Sequence, residues 1–409
     1  MTNLLWPGDH RAGDLMSDQA LLQSMIAVEV AWLDALVSAG VVPASCAGED
    51  IGRLVSGADC EVLAATSEEG GNPVIGLVRL LRERSGSAVG HWIHRGLTSQ
   101  DVLDSALMLS LRRVLDELAA QLAEQIAVLC TLADTHRGTP LVARTMTQHA
   151  VPTSFGAKAA RWLDGVTEAY QRISGAGTPI QIGGAAGTLS AATELARLRE
   201  LPGEPAEVAV GLTHAVANRL NLDTRATWHT TRTPVTAIAD VLVGCTDVWG
   251  RIASDVVTLA RPEIAELSEP ATATRGTSST MPQKRNPVLS ILIRRAAIAA
   301  PPLAATLHTA AALANDERPD GSWHAEWDTL RTLARRTVVA GAQCCELVGG
   351  LQIHAAQMAK NLANTDVLGE QRTMADLAEK NSSATYFGAV DLLIDQAIVR
   401  AQHVLNGPS

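Results

Sequence analysis

The chain has 409 residues, 47% of them hydrophobic, which is enough for a substantial core and for two or three domains of a soluble protein. A net charge of -10, from 33 basic against 43 acidic side chains and with no basic stripe, argues against nucleic acid as a partner. No run reads as long enough to span a bilayer, so no membrane is expected, whereas a small anionic substrate stays allowed if cations gather locally. The candidates are Lys284, Arg285, Arg318, Arg232, Arg144 and Arg11, with Arg318 and Arg232 expected to bind it.

The first residues, from Met1 to His10, lack a basic region followed by an apolar one, so the chain reads as cytoplasmic. Cys46, Cys60, Cys130, Cys245, Cys344 and Cys345 sit mostly in apolar helical patterns without zinc spacing, as reduced thiols would. Leu103, Leu107, Leu111, Val114 and Leu118 mark a long helix, opened by Thr98-Ser99-Gln100-Asp101 as a capping box with Asp in place of Glu. Another helix is predicted over roughly 150–173. Thr178 to Ile182 is the best candidate strand in a chain where alternation is scarce. The stripe Val235, Ile238, Val241, Leu242, Cys245, Val248, Trp249, Ile252, Val256, Leu259 predicts a helix of about seven turns. Helices are further predicted over 287–313, kinked or broken by Pro301-Pro302, and over 322–362. Residues 364–383 are polar with weak periodicity, and a last amphipathic helix runs through Val390, Leu393 and Ile398. The fold class is all-α.

The densest chemistry lies in Thr277-Ser278-Ser279-Thr280-Met281-Pro282-Gln283-Lys284-Arg285-Asn286-Pro287, which packs hydroxyls, cations and an amide into a loop with few apolar residues. Asn286 followed by Pro287 should open a helix whose free N–H groups, with Lys284 nearby, would seat a carboxylate. Asn-Pro alone is a common helix opening, but the whole string is far rarer. It resembles the signature of the fumarase/aspartase superfamily, which usually reads Gly-Ser-x-x-Met-Pro-x-Lys-x-Asn-Pro. The resemblance implies that Ser278, six residues before Lys284, is the base that takes a proton from a carbon next to a carboxylate, with Lys284 and Asn286 binding the charge that results. Thr277 stands where relatives usually carry Gly, with Gly276 displaced by one, and a β-branched residue cannot take glycine-only conformations.

Three further blocks carry the resemblance. His94-Arg95-Gly96-Leu97-Thr98-Ser99-Gln100-Asp101 implies hydroxyl contacts from Thr98 and Ser99 to a substrate carboxylate, and proton handling by His94. Arg144-Thr145-Met146-Thr147-Gln148 implies substrate contacts from Thr145 and Gln148, but Met146 replaces a His that many relatives use as a second acid or base, and a thioether cannot shuttle protons. Arg318 in Glu317-Arg318-Pro319-Asp320, Trp323-His324-Ala325-Glu326-Trp327, Arg232 in Trp228-His229-Thr230-Thr231-Arg232, and Gly183-Gly184-Ala185-Ala186-Gly187 look like the branch of 3-carboxy-cis,cis-muconate cycloisomerases. Read physically, that glycine run is a tight turn, since no strand-helix context or nearby Lys makes it a phosphate loop.

The resemblance thus implies a three-domain fold: an N-terminal helical domain over 1–98, a central long-helix bundle over 99–362, and a helical cap over 363–409, shorter than the family usually has. The expected activity is reversible lactonisation of 3-carboxy-cis,cis-muconate. The alternatives are β-elimination from a substituted succinate to release fumarate, and a non-catalytic assembly paralogue. No cofactor is needed for such chemistry. His91 and His94, three apart without an acidic or thiolate partner at fixed spacing, do not make a metal site, so no metal is expected. The expected partners are a di- or tricarboxylate and further copies of the chain, in a homotetramer whose sites are shared between subunits.

Overall fold

The structure, a computed structural model, describes residues 3–270, 272, 274–278, 280, 281 and 283–406, so Ser279 and Pro282 of the signature lie outside the described residues. It is mostly helical. An N-terminal group contains α1 (Asp18–Ser38), α2 (Cys60–Gly70), α3 (Val74–Arg84) and α4 (Ser87–Gly90). Ser17 starts α1 by accepting the Ala20 N–H at 3.1 Å. The central part begins with α5 (Ser99–Thr135), a hairpin of β1 (Pro140–Thr145) and β2 (Gln148–Ser154), and α6 (Phe155–Ser174). It continues with α7 (Ser190–Leu198), α8 (Pro205–Leu220), α9 (Thr233–Leu259), the two-residue β3 (Leu267–Ser268), α10 (Val288–Ala312) and α11 (Gly321–Gly349). The chain then forms β4 (Gln352–Ile353), antiparallel to β3, and α12 (Ala355–Ala363), α13 (Gly369–Leu377) and α14 (Val390–Asn406).

Several predicted elements change. The helix expected from about 150 starts at Phe155, because β2 pairs antiparallel with β1 and takes the preceding residues. Met146 and Thr147, with φ of 48° and 72°, make the tight left-handed turn that suits a two-residue hairpin. Thr178 to Ile182 forms no named strand, only an isolated bridge between Pro179 and Asp223. The helix expected over 322–362 stops at Gly349, and Gly350 and β4 separate it from α12. Pro301 and Pro302 do not break α10, and both are exposed within it. The polar stretch after Asn364 contains the short α13.

Two helices, Asp18–Ser38 and Val288–Ala312, are long and apolar enough to cross a membrane by length and composition, contrary to the expectation that no run would be. In α1 67% of the apolar window is buried inside the protein, which is how a core helix passes that test. In α10 only 33% is buried, and Ile291 and Ile298 are exposed, as is Leu313 just after it.

One hydrophobic core runs from Trp6 to Ala401 and crosses residues 98 and 362. Tryptophan replaces the scarce phenylalanine in it, and most of its buried indoles find an acceptor. Trp32 donates to the Arg95 carbonyl, Trp162 to Asp255, Trp228 to the Ile180 carbonyl and Trp249 to Gln125.

Candidate active site

The long helices sort the predicted residues to two ends of the bundle. Asp104 near the start of α5 contacts Arg232 just before α9 and Trp323 in the first turn of α11, so α5, α9 and α11 begin together. At a rise of 1.5 Å per residue the 37 residues of α5 extend about 55 Å, and α6 and α10 return in the opposite sense. His94, Thr98, Ser99, Arg232 and Arg318 belong to the starting end. Thr145 and Gln148, on the hairpin after α5, and Ser278, Lys284 and Asn286, on the loop between α9 and α10, belong to the far end. Among the described residues no hydrogen bond or ion pair links the 94–101 block to the 274–286 loop.

At the starting end Asp101 is fully buried and organises three motifs that are far apart in sequence. Its carboxylate accepts the Thr98 N–H at 3.0 Å, the acidic half of the expected capping box. It also accepts the Gly183 and Gly184 N–H groups, both at 2.9 Å, and lies 2.8 Å from His229 Nε2. The glycine run is therefore the tight turn expected, wrapped around an internal carboxylate. A Cβ at Gly183 would come within 2.4 Å of Thr227, so the approach needs glycine.

Arg232 is a correction. It was expected to bind substrate, but it is 2% exposed, donates to both oxygens of Asp104, and contacts Glu326 at 2.5 Å. Burial opposes its charge, yet Asp104 and Glu326 outweigh burial and hold the guanidinium above its ordinary value. Burial pushes Glu326 up, partly offset by Arg232. The Trp323 to Trp327 block thus frames the bundle. Arg318 is exposed on the loop between α10 and α11. Thr98 is buried at the cap of α5 and Ser99 is half-buried beside it.

His94 has φ of 63°, a left-handed conformation unusual for a non-glycine residue. Its Nδ1 lies 2.6 Å from Oε1 of Glu29 in α1. The sequence reading missed Asp101 as a hub, and it missed Asp104, Glu326 and Glu29. The available signal was an acidic residue on an apolar helical stripe, as in Ala27-Val28-Glu29-Val30-Ala31-Trp32.

At the far end the signature loop closes on itself. Thr277 and Arg285 form an antiparallel bridge, and the Asn286 N–H and side-chain amide both donate to the Gly276 carbonyl, at 2.9 and 3.2 Å. Gly276 has φ of 75°, and a Cβ there would meet the Asn286 oxygen at 2.4 Å. The displaced glycine is therefore the one the turn requires, while Thr277 is extended, which suits a β-branched side chain. Ser278 Oγ accepts N–H groups from Thr280 at 3.4 Å and Met281 at 3.2 Å. Lys284 is exposed.

The expected anion seat at the start of α10 is occupied. Pro287, not Asn286, takes the cap position, and Glu269 accepts the Leu289 and Ser290 N–H groups at 3.0 and 2.7 Å. An internal carboxylate has filled the terminus that sequence assigned to substrate. A cleft of about 250 Å³ beside it is lined by Glu269, Arg275, Arg285 and Asn286. Arg275 and Arg11 both pair with Glu346, which they pull below the ordinary carboxylate range against the opposing effect of burial. Arg144 donates to both oxygens of the buried Glu266 at 2.9 Å, tying the hairpin to the segment that leads to the loop. Thr145 and Gln148 form the last rung before the turn, and Met146 is 96% exposed at its tip.

A family model described as lyase matches residues 17–300. The chain belongs to the fumarase/aspartase superfamily. It is an enzyme of that superfamily by its relatives as well as by its fold. It is 43% identical to the nitrosuccinate lyase of Streptomyces davaonensis over 367 residues, 87% of this chain and 75% of that one. It is 36% identical to a 3-carboxy-cis,cis-muconate cycloisomerase of Bradyrhizobium diazoefficiens over 397 residues, 95% of this chain and 85% of that one. The crystal structure of the 3-carboxy-cis,cis-muconate lactonizing enzyme of Pseudomonas putida superposes with a TM-score of 0.83 at 28% identity, covering 96% of this chain and 97% of that one. The likeness to superfamily folds thus extends over nearly the whole chain, beyond the signature loop.

Proposed function

We propose that this superfamily member is a β-elimination lyase that acts on a succinate bearing an anionic leaving group, with nitrosuccinate as the leading substrate and fumarate as product. The observation that carries the reaction type is Ser278 Oγ accepting two backbone N–H groups in a loop that also holds Lys284. A serine hydroxyl is a poor base in water, and amides directed at its oxygen favour the alkoxide form. Ser278 takes the proton from the carbon next to a carboxylate, and the electron pair left behind forms the double bond as the bond to the leaving group breaks. Lys284 faces the charge that develops on that carboxylate.

Met146 supports the choice of leaving group. A site without an ionisable side chain at the hairpin tip favours a group that departs as a stable anion, as nitrite or a carboxylate does, over an amine that needs a proton. The blocks that pointed to the cycloisomerase branch are frame residues around Asp101 and Asp104, so they report shared architecture more than substrate. The 43% identity to a nitrosuccinate lyase then favours nitrosuccinate. Cycloisomerisation is the second reading, favoured by the 36% identity across 95% of the chain, and its leaving group in the reverse direction is a carboxylate.

The separation of the two ends of the bundle supports a shared site. If His94 and Ser278 serve one reaction, copies of the chain must bring the starting end of one bundle to the far end of another, as in the homotetramer expected from sequence. The exposed Ile291 and Ile298 on α10 give such an assembly an apolar face.

The test is ultraviolet absorbance of the purified protein with nitrosuccinate and, separately, with 3-carboxy-cis,cis-muconate. Fumarate and nitrite from the first are expected. Loss of the diene absorbance from the second alone would install the cycloisomerase reading, and silence on both would defeat the proposal.

A further inference from the structure

Glu29 is a buried carboxylate in the middle of an apolar helix, with a side chain 0% exposed. Its Oε1 lies 2.6 Å from His94 Nδ1, and its Oε2 is buried without a hydrogen-bond partner among the described residues. Such a pair is a poor device for stability, because the cost of taking a carboxylate out of water is met here by one contact, where an apolar residue of similar volume would pack without it. His94 in turn keeps a left-handed backbone at φ 63°, and its side chain remains 17% exposed. Strain of this kind persists where surrounding structure holds a side chain in a required direction. Arg82 of α3 lies near enough to feel both Glu29 and Arg95. Burial first and the Arg95 charge second lower the Arg82 guanidinium, with Glu29 acting in the opposite sense.

We propose that Glu29 is a positioning residue for proton transfer by His94. The inference rests on the reading above in that it takes His94 to serve the reaction. An ionised carboxylate only accepts, so Nδ1 carries a hydrogen and Nε2 becomes the working nitrogen, a proton acceptor when the ring is neutral and a donor when it is charged. The geometry has the logic of a buried carboxylate that holds an imidazole in one tautomer and one orientation. Met146 leaves the hairpin tip without an ionisable group, and His94 is an imidazole that the motifs offer for moving a proton.

The experiment has two arms. Nitrogen NMR of the ¹⁵N-histidine-labelled wild type, recorded where the ring is neutral and with the His94 signals assigned by difference from His94→Gln, is expected to show its hydrogen on Nδ1. A hydrogen on Nε2 would overturn the proposal, and this arm needs neither substrate nor a folded Glu29 variant. In the second arm, Glu29→Gln is expected to lower kcat by about 10- to 100-fold with KM changed by less than about threefold. The limb of the pH–rate profile that belongs to the ring should move to lower pH, since the anion that favours the charged ring is gone. Glu29→Asp, which keeps the charge, should restore the limb and part of kcat. A merely structural Glu29 would lower thermal stability and leave the limb where it is, and that result would overturn the proposal. If the wild type were silent on nitrosuccinate and on the muconate, the functional reading would fail, and the NMR arm alone would decide the dyad.

Discussion

Ser278 and Lys284 differ from Arg232 in what their removal should do. Ser278→Ala deletes one hydroxyl from a polar loop whose closure depends on Gly276 and Asn286, so turnover should fall to background while assembly and melting temperature stay near wild type. Full activity in that variant would remove Ser278 from the mechanism. Lys284→Met should raise KM and also lower kcat, because an exposed ammonium supplies charge to the bound carboxylate and to the charge that develops on it more than packing to the loop. Arg232→Met leaves Asp104 and Glu326 buried without their common partner, and a cost of about 3–5 kcal/mol is expected in chemical denaturation. A loss under 1 kcal/mol, with a raised KM, would return Arg232 to the substrate.

Among the elements, the signature loop is held from both sides, by the bridge between Thr277 and Arg285 and by Arg275 on Glu346. The carboxyl of Glu346 lies below its ordinary range in the folded state, so its contribution is present above that range and is lost as pH falls through the folded value. Protease cleavage of the loop should therefore quicken as pH drops from roughly 5 to 3, and Glu346→Gln should cleave readily at both ends of that window. A pH-independent cleavage rate in the wild type would show that the pair does not restrain the loop. The hairpin carries the same lesson about placement. Arg144 and His149 face each other across its strands and are tied to Glu266 and Thr365, while the adjacent rung of Thr145 and Gln148 turns to the opposite face.

For the whole molecule, the separation along α5 has a direct consequence. His94→Gln and Ser278→Ala should each be inactive alone. Mixed by co-expression, they should regain activity, because some shared sites then draw an intact His94 from one subunit and an intact Ser278 from another. Random mixing would place both intact groups in about a quarter of the sites. No recovery in mixed oligomers of confirmed composition would mean that both residues serve a site within one subunit.

Local patterns were sufficient for much of this protein. The 3.6-residue stripe from Val235 to Leu259 specified α9 almost to its ends, Thr98 and Asp101 marked the start of α5, and the string from Ser278 to Pro287 marked the superfamily. These are properties of neighbouring residues, and sequence displays neighbours. The tertiary structure decided which charges the fold consumes. Arg232 and Arg144 looked like substrate cations until buried carboxylates distant in sequence claimed them, and the α10 terminus looked vacant until Glu269 filled it. Glu29 looked like an anomaly in an apolar stripe until it met His94, 65 residues away. A charge is assigned to the frame or to the site by what lies within about 4 Å of it, and only the folded chain sets that distance.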